Sequence, residues 1–314
     1  MISYIKHHEI DRQRWDDCIC RSLNRRVYAF SWYLDIVAPG WEALVMEDYS
    51  SVFPLTEGRK AGVHYLFQPF FTQQLGLFSR CPMDVELADS FMNAIPVRFR
   101  YTDIQVTPGF MPSNADVKLT PRVNHELSLQ NSFEVIGSGY SQNTKRNIRK
   151  SIASGVTIQH IVSADELVKL FRLNFGEQEG KLRDVHYGQM NALMKTSMEK
   201  GCGSVWGAFD KQGVLSASAF FLADGDRVYF LFAASAHEAR ENGAMFRLID
   251  QFIREFAGKP LILDFEGGND PKLGRFYKSF GASEVPYHRL IRSRLPVLLK
   301  AGLKLSRAVR EQIK

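Results

Sequence analysis

The sequence predicts a mixed α/β protein built from two consecutive domains that share one order of elements. Three observations carry this prediction. The chain has 314 residues, more than a single hydrophobic core usually organises, and its 45% hydrophobic and 24% charged content is ordinary globular composition. Sliding the chain along itself by 165 residues lays Trp41 on Trp206 and Val63–Phe67 on residues 228–232 without a gap. Around those matched positions, alternating apolar runs and turn residues follow the same succession in both halves: strand, two helices, three strands, helix, strand.

In the first half, residues 2–6 read as a strand, 11–23 and 32–37 as helices, and 41–47, 52–56 and 63–67 as strands. Turns are expected at 48–51 and 57–60, where charged and small residues cluster. In the second half the strand is 156–161 and the helices are 164–175 and 185–200. Ser163-Ala-Asp-Glu166 has the form of a capping box and marks the first of these helix starts. Strands at 204–210, 214–222 and 228–234 follow, with turns at 211–213 and 224–226. A helix over 238–256 places Met245, Leu248, Ile249, Phe252 and Phe256 on one face, and Gly258-Lys-Pro260 stops it. Residues 261–265 form a short buried strand, 271–280 a helix ended by Gly281, and 285–291 a last strand. A basic helix over 141–154, ended by Gly155, joins the halves. The expected organisation is therefore a domain at 1–140, a connecting helix at 141–155, a domain at 156–294 and a terminal helix at 295–314.

The net charge is +6 and the pI is near 9.1. Residues 141–160 hold four cations and no acid, residues 286–314 hold eight cations and one acid, and everything else sums to −5. Such local basicity argues against a general nucleic-acid coat and against DNA as a partner. The four cysteines (Cys18, Cys20, Cys81, Cys202) form no CxxC pair, and no histidine set has metal spacing, which points to a reducing compartment and no metal site. The first residues lack an apolar signal core. Residues 61–79 carry no formal charge, but His64, Gln68, Pro69, Thr72, Gln73 and Gln74 interrupt them too often for a membrane span. The reading is a cytoplasmic protein. The terminal helix would set Leu295, Leu298, Leu299, Leu305, Val309 and Ile313 opposite Lys300, Lys304, Arg307, Arg310 and Lys314. That pattern suits an anionic membrane surface or RNA phosphates, and equally a helix packed on its own protein.

After the strand 228–234 comes Arg240-Glu-Asn-Gly243-Ala-Met245 at a helix start. Free backbone amides and the positive helix end can bind a pyrophosphate there, with Gly243 permitting close approach and Arg240 adding a charge-assisted contact. The same residues also suit an ordinary helix start with a surface arginine. Here the element order resembles the GNAT fold of acyl-CoA N-acyltransferases, whose fourth strand leads into a Gln/Arg-x-x-Gly-x-Gly/Ala turn. Arg240 and Gly243 match that turn, and Met245 departs from its last small position. Leu261-Ile-Leu-Asp-Phe-Glu-Gly-Gly268 followed by Gly274-Arg-Phe-Tyr-Lys-Ser-Phe-Gly-Ala282 is similar to the closing segment of the Fem-type aminoacyltransferases and the CelD/Fem-like acetyltransferases. Those families carry two GNAT-like domains and a basic stretch between them, similar to Lys145-Arg146-Asn-Ile-Arg149-Lys150. The resemblance covers nearly the whole chain.

It implies two GNAT-like domains in tandem, with the acyl donor in the second and a degenerate, acceptor-side first. Phe232, Ala233, Ala234, Arg240, Asn242, Gly243 and Ala244 would bind acyl-CoA or acetyl-CoA as co-substrate. Tyr277 stands where this fold often places a proton donor to sulfur, and Lys278 resembles the lysine of the Fem-type Phe-Lys pair. A packed helix tyrosine and a solvated lysine fit the same positions. Glu266 is the favoured base, with Asp264 beside it, and His186 and His237 are further relay candidates. In the first half, Gln68-Pro-Phe-Phe-Thr-Gln73-Gln-Leu-Gly76 has no cation and Pro69 lacks an amide, so Gln68, Phe70, Gln73 and Gln74 read as a wall of an acceptor cleft between the domains.

The leading functional expectation is an N-acyltransferase that moves an acyl group from acyl-CoA to a small-molecule or peptide amine. A second is a Fem-type aminoacyltransferase using aminoacyl-tRNA on a cell-wall peptide amine at the inner membrane face, with 145–150 and 295–314 meeting RNA or lipid. The chain shows no coiled-coil heptad run such as Fem-type tRNA users often insert, which favours acyl-CoA. A third is a non-catalytic binding protein on the same fold, supported by Met245 and the unsettled base.

Overall fold

The computed structural model describes residues 1–160, 162–179, 182–237 and 239–295, and the side chains of 174–179, 239 and 240 stand outside the description. The terminal helix expected from residue 295 onward lies outside the described residues, apart from Leu295 itself. The chain divides into two compact units, Met1–Pro121 together with the chain from Tyr287 onward, and Arg122–Pro286.

The first unit begins with β1 (Ile2–Ile5), α1 (Arg12–Arg21), α2 (Ser31–Val37), β2 (Glu42–Met46), β3 (Ser51–Leu55), β4 (Glu57–Lys60) and β5 (Val63–Phe67). It continues with β6 (Phe78–Ser79), α3 (Val85–Ala94) and β7 (Phe99–Val106). Aspartates start both longer helices: Asp11 accepts from the Arg14 amide at 3.0 Å and Asp84 from that of Leu87 at 2.8 Å. Strands β1, β2, β3 and β6 form one antiparallel sheet, while β5 pairs antiparallel with β4 and parallel with β7. Residues 57–60, expected to turn, form β4 instead. The turn falls at Ala61 and Gly62, both at positive φ (48° and 76°). Charge misled the sequence reading here, because Glu57 lies along the strand paired with His64 and Arg98 and is not released to solvent. Leu44, Phe53, Leu66, Phe91, Phe99 and Ile104 form the core of this unit.

The second unit takes the chain from within β8 (Val117–Ser128) through α4 (Phe133–Ser138), α5 (Gln142–Ala153), β9 (Thr157–Gln159), α6 (Ala164–Glu179) and α7 (Asp184–Glu199). Then come β10 (Gly203–Phe209), β11 (Leu215–Asp224), β12 (Arg227–Ser235), α8 (Ala239–Asn242), α9 (Ala244–Phe256), β13 (Ile262–Asp264) and α10 (Pro271–Lys278). Last is β14 (Ser283–Ser293), whose residues from 288 pair antiparallel with β7 inside the first unit. The capping box is present: Ser163 Oγ accepts from the Glu166 amide at 3.2 Å and the Ser163 amide donates to the Glu166 carboxylate at 3.1 Å. The sheet runs β9, β10, β11, β12, β13, β8, antiparallel throughout except for the parallel pair β12 and β13. Trp206, Phe221, Phe230, Phe252, Phe265 and Phe280 fill its core. The helix expected over 238–256 breaks at Gly243, whose φ of +71° ends α8 and starts α9.

Both units repeat one succession of pairings. Antiparallel strands lead to a parallel pair bridged by a helix, β5 and β7 across α3 in the first, β12 and β13 across α9 in the second.

Candidate active site

The site grows from unequal strand lengths. β12 pairs with β11 along its whole length, but on its other side it meets β13 only through Arg227–Tyr229. β12 outruns that parallel pairing by six residues, 230–235, about 20 Å of strand. In the first unit the lengths are reversed: β5 pairs with β7 up to its last residue, Phe67, and β7 runs on. Beyond Phe67, Leu75 bridges to Val106, its amide donating to Gln105 O at 2.8 Å and its carbonyl accepting from Thr107 at 3.1 Å. Gln68 holds that loop, accepting from the Gln105 amide at 2.8 Å and donating to Thr72 O at 2.8 Å. Gln74 donates to Gln73 Oε1 at 2.7 Å, and both are buried, whereas Phe70 is exposed. The three glutamines thus bind their own loop.

Toward the far end of β12, Phe232 and Ala234 are buried and Ala233 is partly so. The chain passes through α8, which contains Arg240 and Asn242, to Gly243. Asn242 Oδ1 accepts from the Ala244 amide at 2.9 Å and so caps α9. A Cβ at Gly243 would lie 2.6 Å from Asn147 O, so the glycine is required both by its φ and by the backbone of α5 packed against it. The basic helix therefore lies beside the turn that the sequence nominated for a pyrophosphate. Met245 packs on the core of the unit.

At the near end, Asp264 closes β13, fully buried. Its Oδ2 bonds Arg227 at 2.8 Å, and its Oδ1 accepts from Asn124 at 2.8 Å and from the Glu266 amide at 2.9 Å. Glu126 also pairs with Arg227, at 2.7 Å. Burial works against the Arg227 charge, but Asp264 and Glu126 outweigh it and hold its pKa above the usual arginine value. Glu266 then takes φ +55°, a left-handed conformation unusual for a residue with a side chain.

Asn124 and His125, consecutive on β8, clamp the turn that follows. Asn124 Oδ1 accepts from the Gly267 amide at 2.9 Å and His125 Nδ1 donates to Gly267 O at 2.8 Å. A Cβ at Gly268 would sit 2.0 Å from that ring nitrogen. Asp270 caps α10, accepting from Lys272 at 2.6 Å, and Tyr277 stacks on Phe265 at 4.7 Å between ring centroids. Burial, then the Glu266 and Asp270 carboxylates, push the Tyr277 hydroxyl far above its usual pKa, so it stays protonated at neutral pH.

Glu266 and Tyr277 are therefore brought to one place where β12 begins to outrun β13. Lys278 forms an ion pair with Glu284, and both are half exposed. His186 serves the start of α7, accepting from the Arg183 amide at 2.9 Å, and burial lowers its pKa. His237 is exposed. Sequence reasoning missed Asn124, His125, Glu126 and Arg227, because no periodic pattern links a residue on β8 to a turn some 140 positions away.

Residues 138–279 match the family described as Acetyltransferase (GNAT) domain. This segment is similar to a GNAT acetyltransferase domain. The free-running end of β12, the α8–α9 turn, the 266–268 turn and α10 all lie in the matched segment, while the clamp from β8 precedes it. Solved structures share the fold over most of the chain. FemX has 13% identity, a TM-score of 0.64 and coverage of 91% of this chain and 96% of its own. The C-terminal DUF2156 domain of a protein described as a lysylphosphatidylglycerol synthetase from Agrobacterium fabrum has 12% identity, a TM-score of 0.58 and 95% coverage of both chains. A GNAT-family acetyltransferase from Colwellia psychrerythraea has 12% identity, a TM-score of 0.52 and coverage of 93% and 99%. At these identities the likeness speaks for fold alone. No curated protein matches the chain in sequence. Among the described residues, no group of histidine, cysteine and acidic side chains is placed to hold a metal ion, and no helix is long and apolar enough to cross a membrane.

Proposed function

We propose that the GNAT-like domain transfers an acyl group from acyl-CoA to an amine. The observation that carries this reading is the stretch of β12 that outruns β13, which runs between the α8–α9 turn at one end and the Glu266 and Tyr277 pair at the other. An extended, amide-bearing arm such as that of a CoA thioester can add to such a stretch as a further strand. The amides at the start of α9 suit a pyrophosphate, and the exposed Arg146 and Lys150 of the adjacent α5 add cations. Acyl transfer forms a C–N bond, breaks a C–S bond, removes one proton from the amine and delivers one to the departing sulfur. Glu266, held in place through its backbone amide, is suited to take the first proton. Tyr277, held protonated, is suited to give the second. In this reading the first unit does not bind the donor, since β5 ends with its pairing to β7 and extends no strand beyond it. The acceptor is then an amine on a small molecule or peptide, and the shared succession of pairings supports descent of both units from one duplicated domain.

A second reading, an aminoacyl-tRNA donor, draws on the same exposed cations of α5 and is separated by the same experiment. Acetyl-CoA and longer acyl-CoAs should raise the melting temperature by binding the folded state, and amine acceptors should release free CoA thiol. Tyr277→Phe should keep the thermal shift and lose about 10²-fold or more in turnover. Absence of any shift across the acyl-CoA series would overturn the donor assignment. RNA affinity that falls steeply with salt would then favour the second reading.

A further inference from the structure

The cations of α5 do not form one surface stripe. Lys145 and Arg149 turn away from the position of Asn147 and line a groove of about 520 Å³ between α4, α5 and α9. That volume is in the range of small-molecule sites, about 300–1,000 Å³. Phe133, Tyr140, Ile148 and Ile152 supply its apolar walls, and Arg254, lying 3.7 Å over the Phe133 ring, adds a third cation. Two acids also line it. Glu134 is exposed at the rim, and Asp250 is fully buried with Oδ2 bonded to Arg247 at 3.1 Å and Arg254 at 2.8 Å, so its charge is already met. The Tyr140 hydroxyl and the Asp250 carboxylate face each other, buried at the base of this groove. Burial, and after it Asp250, keep the Tyr140 hydroxyl protonated and therefore a donor.

Apolar walls beneath a cationic rim exclude a bare phosphate backbone as the natural occupant, since such a chain would leave the walls in water. We propose that this groove binds an anion with an apolar body, a carboxylate or phosphate ester whose head is held by Lys145 and Arg149 and whose chain covers Ile148, Ile152 and Phe133. The site is separate from the free-running end of β12 and does not depend on the donor assigned there. Among the described residues Arg149 bonds through Nε, to Lys145 O at 3.3 Å, which leaves its two terminal nitrogens for a bidentate contact, and Lys145 Nζ donates to Ser138 O at 3.1 Å with two further protons to offer.

Titration calorimetry on the full chain tests this with decanoate and decyl phosphate below their micellar concentrations, with inorganic phosphate and decyltrimethylammonium as controls. Both decyl anions should bind with a stoichiometry near one, and both controls should not. Arg149→Glu should weaken binding tenfold or more. Ile152→Asp, at a residue already 54% exposed and so tolerant of change, should do the same. Unchanged melting temperatures in both variants would show that folding is intact. Equal binding of the decyl cation, or affinity unaltered in both variants, would overturn the proposal. Binding to phosphatidylglycerol vesicles without binding to either soluble decyl anion would overturn it too, and would point to a membrane-surface role for α5. Competition by decanoate for vesicle binding would instead identify a lipid as the source of the same ligand chemistry.

Discussion

At the residue scale, several positions are set by what a side chain would collide with. Gly268 lies at φ +124° with its missing Cβ 2.0 Å from His125 Nδ1, so Gly268→Ala must displace either the turn or the ring. It should destabilise the protein by about 2 kcal/mol or more in urea unfolding and reduce turnover through the shifted Glu266. A different residue sets the acid limit of stability. Glu42 accepts from Tyr4 at 2.6 Å and Lys6 at 2.9 Å and bonds Arg98. Burial alone would raise its pKa, but these partners outweigh it and hold the carboxyl below the ordinary glutamate value of 4.5. A lowered folded-state pKa gives stability that is complete above that ordinary value and is lost as pH falls through the folded one. Glu42→Gln should therefore lower stability at neutral pH and flatten its dependence between about pH 5 and 3, measured by denaturant unfolding at each pH.

At the element scale, β8 reaches across the sequence to position a turn it does not belong to. Asn124 bonds Asp264 with one end of its amide and the Gly267 backbone with the other. Asn124→Ala removes one of the two donors to the buried Asp264 Oδ1 and the acceptor of the Gly267 amide, which should cost about 1–3 kcal/mol. The catalytic consequence should exceed the loss of folded protein: kcat falls while the KM for acyl-CoA changes little, because the donor edge on β12 is untouched. A KM effect without a kcat effect would show that β8 serves the binding edge instead. Element types were legible where periodicity was strong. The 3.6-residue stripe of α9, the capping box of α6 and the aromatic strands β5 and β12 all stand where the residues place them. Residues 77–140 offered no comparable signal, yet they hold α3, β7, β8 and α4. β8 carries polar residues at its inner positions because Asn124 and His125 face a site, and that erases the alternation by which strands are recognised.

At the scale of the whole molecule, each core cluster lies within one unit, residues 44–110 with Leu290 in the first and residues 127–282 in the second. The second unit is continuous, Arg122–Pro286, while the first is closed by the returning chain. A fragment of residues 122–286 should therefore fold alone, showing a single cooperative melting transition and a thermal shift with acyl-CoA. A fragment without cooperative unfolding would mean that the second core depends on the first.

The sequence by itself determined the fold class and the succession of strands and helices, which follow from local propensity and periodicity, and it nominated Gly243 by its turn and Glu266 and Tyr277 through the resemblance to GNAT and Fem-type families. Tertiary structure alone decided that β12 outruns β13 whereas β5 ends with its pairing to β7, that Asn124 and His125 hold the 266–268 turn, and that α5 divides its cations between a turn and a groove. Those properties depend on which backbone groups pair and which distant side chains meet. Both are set by the packing of segments more than a hundred residues apart, and no local pattern in a chain records them.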